Sequence, residues 1–145
     1  MTDTERLMAI EEIKQVKARY FRCTDMKDWA GFTAIFAPDA SVDYTPAAAD
    51  SGDWKASGPA NIVALVRSVV EKAVSIHHGH MAEVEVTSPT TASGIFAMED
   101  LIYWPEGSRY RTMHGWGHYF ETYEKVGGKW LIKALKLTRL RVEQA

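Results

Sequence analysis

One carboxylate in this sequence stands where a carboxylate is costly. Across residues 91–104 alternate positions read Ala92, Gly94, Phe96, Met98, Asp100, Ile102 and Trp104, the period of a strand that buries one face. A charge in that apolar row needs a partner or a shifted protonation equilibrium. Asp100 is therefore a candidate pocket acid or hydrogen-bond anchor, with an Asp held by a structural Arg or by backbone as the plainer reading. Arg139 and Arg141 share a face of the last predicted strand by simple alternation; either is a candidate partner for a buried acid, with a solvated outer face as the plainer reading.

The stretch SIHHGHMAEVEV, residues 75–86, supplies His77, His78 and His80. An imidazole facing a carboxylate is a working general acid or base near neutral pH. Two histidines two apart on one strand face also suit a metal, though a third ligand should then be visible; His114 and His118 are the other available nitrogens. Alternation back from Val86 and Val84 turns Ala82, His80 and His78 inward, whereas a bulge at Gly79 would reverse the parity and turn His77 inward. Tyr20 and Asp25 are five residues apart and share a face only if their helix loosens. On spacing alone Asp25 reads as a C-terminal turn residue, and Cys23 as a small core residue with nothing beside it to activate a thiol.

The elements that must position these groups can be read from periodicity. Residues 3–24 predict a helix, opened by Thr2 and Glu5 as a capping box, with Ile10, Ile13, Val16, Tyr20 and Cys23 as its buried stripe. Residues 29–36 predict a second helix capped by Asp28, with Trp29, Phe32 and Phe36 inward and Pro38 as the stop. A strand is predicted at 40–45, then a small polar loop over 46–57 whose length suits a functional cover. A third helix starts at Pro59 and shows an apolar face of Ile62, Leu65, Val66, Val69, Val70 and Ala73. Four long strands follow at 75–87, 91–104, 109–126 and 129–142, divided by Ser88-Pro89, Pro105-Glu106-Gly107 and Gly127-Gly128. Helices first and antiparallel strands after is the α+β pattern, with Gly79, Gly94, Gly115 and Gly117 as bend or bulge points.

The 145 residues predict one domain, residues 1–145. A net charge of −2 gives no electrostatic reason to expect nucleic acid. No apolar run approaches a membrane span, and no signal-peptide core is present. A lone cysteine excludes an internal disulfide and suits a reducing, cytoplasmic setting.

Three motifs, ARYFRCTDMKDWAGFTAIFAPDASVDY, SIHHGHMAEVEVTSPTTASGIFAMED and GWGHYFETYEKVGGKWLIKALKLTRL, in this order and spacing, resemble the SnoaL-like branch of the nuclear transport factor 2-like superfamily over residues 5–142. The resemblance implies a cone-shaped α+β barrel, three N-terminal helices against a strongly curved, mostly antiparallel sheet enclosing a pocket. The superfamily holds scytalone dehydratase, bile-acid dehydratase, a hexachlorocyclohexane dehydrochlorinase, ketosteroid isomerase, polyketide cyclases, limonene epoxide hydrolase and pure binding modules, so fold alone does not fix function. Tyr20, Asp25, His77 and Asp100 match the four catalytic positions of its dehydratase-like members, with Asp25 and His77 as an Asp–His dyad. Asp100 matches the acid of the bile-acid enzyme better than the His of scytalone dehydratase. The dehydrochlorinase's C-terminal-strand Arg corresponds to Arg139 or Arg141. The implied activity is a cofactor-independent, metal-free β-elimination, with an isomerase or cyclase using Asp100 as base, or a binding module, as the alternatives. Phe36, Tyr44, Trp54, Phe96, Met98, Trp104 and Trp116 are the expected walls for a small hydrophobic cyclic substrate. A homodimer or homotrimer is expected from the family and from the strand aromatics Tyr103, Tyr119, Tyr123 and Trp130.

Overall fold

Thr2 starts the first helix as its sequence dictates. In the computed structural model, which describes residues 1–48 and 52–145, its hydroxyl accepts the Glu5 N–H while the Glu5 carboxylate accepts the Thr2 N–H. Helix α1 runs Asp3–Asp25 and buries Ala9, Ile13, Val16, Tyr20, Phe21 and Cys23, together with Lys17 and Thr24. Helix α2, Trp29–Thr33, is capped by Asp28, which accepts the Gly31 N–H. It is shorter than the predicted 29–36, because the backbone from Ile35 onward is taken into a sheet. Ile132 N–H donates to Ile35 O at 2.9 Å, and Phe36 opens strand β1, Phe36–Asp43, in place of the predicted 40–45. Pro38 lies where the ladder slips between Phe36 and Ser41, so its missing N–H breaks no regular pairing.

The predicted loop 46–57 contains more structure than its composition suggests. Thr45–Ala47 form a single 3-10 turn and Lys55–Ser57 form β2; residues 49–51 lie outside the described residues. Helix α3, Pro59–Val70, carries proline in its first turn. Strands β3 (Val74–Ser88), β4 (Thr91–Tyr103), β5 (Thr112–Val126) and β6 (Lys129–Gln144) complete the chain. β5 starts three residues later than predicted, since Arg111 is held in the preceding turn, its carbonyl accepting the Trp104 N–H. The strands form one sheet in the order β2-β1-β6-β5-β4-β3. Every neighbouring pair is antiparallel except β1 with β6. The sheet curves without closing, and the three helices pack on it. Among the described residues no helix is long and apolar enough to cross a membrane.

Two of the register shifts decide which candidate histidine and which candidate arginine face inward. In the β3–β4 ladder Gly79 pairs with Met98 and Ala82 with Phe96, so β3 carries one extra residue and its parity reverses. His77 and the Ala82–Val84–Val86 row thereby share the inner face, and His78 and His80 turn outward. Gly79 is not needed for a left-handed backbone, as a glycine bulge would suggest, because its φ is not positive. It is needed for space: a Cβ there would lie 2.4 Å from Cε2 of Phe21. The Phe21 ring in turn stacks on His77, with centroids 6.0 Å apart. Gly79→Ala should therefore cost about 1–3 kcal/mol as an overpacking change, read as a lowered urea midpoint. An unchanged midpoint would mean the ring yields freely.

The second bulge lies in β6. Gly117 pairs with Arg139 but Trp116 with Arg141, so Leu140 is the extra residue. Arg139 and Arg141 consequently face opposite sides, not the one face that simple alternation assigns them. Arg139 points inward and Arg141 pairs with Glu143 on the exposed side.

Candidate active site

The inner face of the sheet and the apolar face of α3 enclose a cavity of about 210 Å³. Leu65, Val66, Val69 and Val70 line one side, Ile102, Met113 and Leu137 another, and Tyr44, Ala47, Ala48 and Trp54 contribute from the β1–β2 connection. Tyr20, His77, Asp100, Tyr119 and Arg139 are among the polar groups that line it.

Asp25 is the last residue of α1 and acts from behind His77. Its carboxylate accepts the His77 backbone N–H at 2.8 Å and the Ser75 hydroxyl at 3.0 Å, and lies 2.6 Å from His77 Nδ1. Lys27 donates to Ser75 Oγ at 2.8 Å, which directs the serine proton toward Asp25. A carboxylate accepts only, so the ring nitrogen facing it is Nδ1–H and Nε2 is left toward the cavity. Nε2 stands 3.8 Å from Asp100 Oδ2.

Asp100 is 2% exposed, and its partner is Arg139. The guanidinium donates from Nη1 to Oδ1 at 2.7 Å and from Nη2 to Oδ2 at 2.9 Å, the fork that matches a carboxylate best. Burial works against the Arg139 charge, but hydrogen bonding and attraction from Asp100 outweigh it and hold the pKa above the usual arginine value. Gly115 makes room for this pair: a Cβ there would lie 2.6 Å from Arg139 Nη1 and 2.7 Å from Asp100 Oδ1. Gly117 admits the Thr138 carbonyl, which a Cβ would meet at 1.8 Å.

Phenols complete the polar surface. Tyr20 and Tyr44 share a hydrogen bond of 2.6 Å between hydroxyls, and the Tyr119 ring lies 5.5 Å from that of Tyr20. Burial pushes the pKa values of all three well above the ordinary tyrosine value, so they stay protonated and can donate. Among the described residues, Nε of Arg139 and Nε1 of Trp54, both on cavity-lining residues, have no protein hydrogen-bond partner.

The structure thus brings Tyr20, His77 and Asp100 to one cavity, with Asp25 braced behind His77. Of the expected walls, Tyr44, Trp54 and Trp104 line it. Phe36, Phe96 and Met98 do not: they are core residues, 4%, 3% and 2% exposed, packed behind the lining. Trp116 is on the opposite side of the sheet, stacked on His114 at 3.8 Å, because β5 turns Gly115, Gly117 and Tyr119 inward. Tyr119 was absent from the expected set, although the Gly-x-Gly-x-Tyr row on that face is the signal for it. The remaining histidines sit outside the cavity: His114 bonds Glu99 at 2.9 Å, and His78 and His80 lie near the same carboxylate.

Comparison with known proteins agrees with this architecture. The SnoaL-like domain model matches residues 5–136. A probable cyclase of Gibberella zeae is 29% identical over 133 residues, covering 88% of this chain and 89% of the relative. A type 2 hexachlorocyclohexane dehydrochlorinase superposes with a TM-score of 0.85 at 20% identity, covering 99% of this chain and 93% of its own. A candidate scytalone dehydratase of Novosphingobium aromaticivorans gives 0.85 at 19% identity, covering 99% and 92%. With the family model matching most of its length and the cone-shaped fold shared with these neighbours, the chain belongs to the SnoaL-like family.

Proposed function

We propose that the chain is a cofactor-independent lyase that removes water from a hydrophobic, hydroxylated cyclic compound by β-elimination. The observation that carries this reading is His77, clamped through Nδ1 on Asp25, with Nε2 toward the cavity and the Asp100–Arg139 pair. Nε2 takes a proton from the carbon beside an activating carbonyl, and Asp25 stabilises the imidazolium that forms. The electron pair of that C–H bond becomes the new double bond as the β C–O bond breaks. The imidazolium proton then goes to the departing hydroxide, so water leaves and His77 is restored. Tyr20 and Arg139 are placed to donate to the oxygen on which negative charge builds, while Asp100 fixes Arg139 and can accept from a substrate hydroxyl. Leu65, Val66, Val69, Trp104 and Leu137 suit an alicyclic or aromatic skeleton.

An isomerase or cyclase reading, favoured by the resemblance to a probable cyclase, uses the same cavity with Asp100 as base. Both Asp100 oxygens are already engaged by the Arg139 guanidinium, an arrangement that suits an anchor better than a base and weighs against it. The test is incubation with a panel of cyclic β-hydroxy ketones followed by mass spectrometry. Loss of one water supports elimination. A product of unchanged mass and altered structure supports isomerisation or cyclisation, and substrate that binds and is recovered unchanged leaves a binding module.

A further inference from the structure

Lys17 has no part in that mechanism, yet its ammonium is buried directly behind the site. The side chain is 2% exposed and pairs with Glu121, itself fully buried and also bonded by the Tyr123 hydroxyl. Lys17 does not line the cavity. Its Nζ lies 3.4 Å from the ring centroid of Tyr119 and 3.8 Å from that of Tyr20, the two phenols that do. Phe21 and Phe96 close the cage at 4.9 Å and 5.9 Å.

A buried ion pair is weak evidence for stability, since apolar residues of similar volume often serve as well or better. This pair therefore calls for another account. A cation against the face of a ring draws on its π electrons, and a phenol so depleted is a stronger hydrogen-bond donor. We propose that Lys17 is a positioning residue which, through the rings of Tyr20 and Tyr119, strengthens their hydroxyls as donors to negative charge on a ligand oxygen in the cavity. The proposal rests on the reading above in which Tyr20 faces a developing oxyanion, and extends it to Tyr119, which lines the same cavity. Burial opposes the charge more than Glu121 supports it, and pulls the Lys17 pKa down to about 8. The titratable groups facing the ammonium are Glu121 and Tyr119 from β5 and Tyr20 from its own helix. The donor effect is accordingly present below pH 8 and lost as pH rises through it.

The test uses 4-nitrophenol, whose visible absorbance reports its ionised form. Lys17→Met alone would strand the Glu121 carboxylate, so the pair is replaced together as K17M/E121Q, with Y20F as the reference for loss of a donor and thermal melting as the check on folding. The expected result is that wild type favours the bound phenolate and Y20F loses that preference. The double variant should weaken it roughly tenfold, less than the roughly hundredfold or more of deleting a donor outright. Wild type should also lose the preference through pH 8 while the double variant shows no such step. A folded K17M/E121Q protein with wild-type preference and the same pH step overturns the role of Lys17 and leaves the phenol donors standing. A wild type with no preference for the phenolate overturns the donor reading, and the role of Lys17 with it.

Discussion

His77→Gln should lower turnover by roughly two to four orders of magnitude, the scale of general-base catalysis, in a protein that still folds. Glutamine can fill the space and keep the backbone N–H bond to Asp25, but it has no nitrogen able to take a proton at neutral pH. Asp25→Asn should be nearly as damaging for a different reason. Ser75, the His77 N–H and Nδ1 all converge on the two Asp25 oxygens. An asparagine offers one oxygen and one NH₂, so at least one donor meets a donor, and the ring tautomer that leaves Nε2 free is no longer enforced. His78→Ala should change little, because that imidazole is on the outer face. Initial rates of water loss on the substrate found above measure all three. A His77→Gln protein with normal turnover would remove His77 from the mechanism.

Arg139→Met should be the most destabilising single change at the site. Asp100 is 2% exposed and both its oxygens rely on that guanidinium. Removing one partner of a buried pair typically costs about 3–5 kcal/mol, because the remaining charge is left uncompensated. Replacing both, as D100N/R139M, should recover a large part of the loss while turnover stays low. Urea denaturation followed by far-UV circular dichroism separates the cases. A single variant as stable as wild type would show that Asp100 has a second partner in reserve.

The strand period made the burial of Asp100 legible, since alternation holds without interruption along β4. The same reasoning left His77 and His78 open and assigned the arginines wrongly, because one extra residue in a strand exchanges its two faces and local composition barely marks the place. Gly79 hinted at the first bulge, though for the space it leaves Phe21 and not for its φ. Leu140 gave no hint of the second. Phe32 and Phe36 have the spacing of one helical face, yet pairing of Ile35 and Phe36 with β6 ends the helix early, a tertiary contact that local spacing does not encode. Trp116 belongs to the outward row of β5, which is more aromatic than the inward one, so aromatic content alone points to the wrong face. The inward glycines are small because the Asp100–Arg139 pair and the Thr138 carbonyl occupy that side. The Lys17–Glu121 pair joins residues 104 apart in sequence, a distance at which a lysine on a helix reads as exposed.

The parallel pairing of β1 with β6 has a consequence for the order in which the protein can assemble. Asp43 meets Lys136 and Phe36 meets Ile132, so a strand made early waits for the last one to arrive. Until β6 is in place β1 has only the three residues of β2 beside it, and Asp100 has no cation. Contacts of such sequence separation close loops at a high entropic cost and slow the search for the native state. A nascent chain that pauses before residue 129 leaves one hydrogen-bonding edge of β5 and one of β1 unpaired and open to whatever else is nearby. Chaperone dependence during synthesis should therefore be concentrated in the interval before the final strand emerges, and the cavity forms last of all.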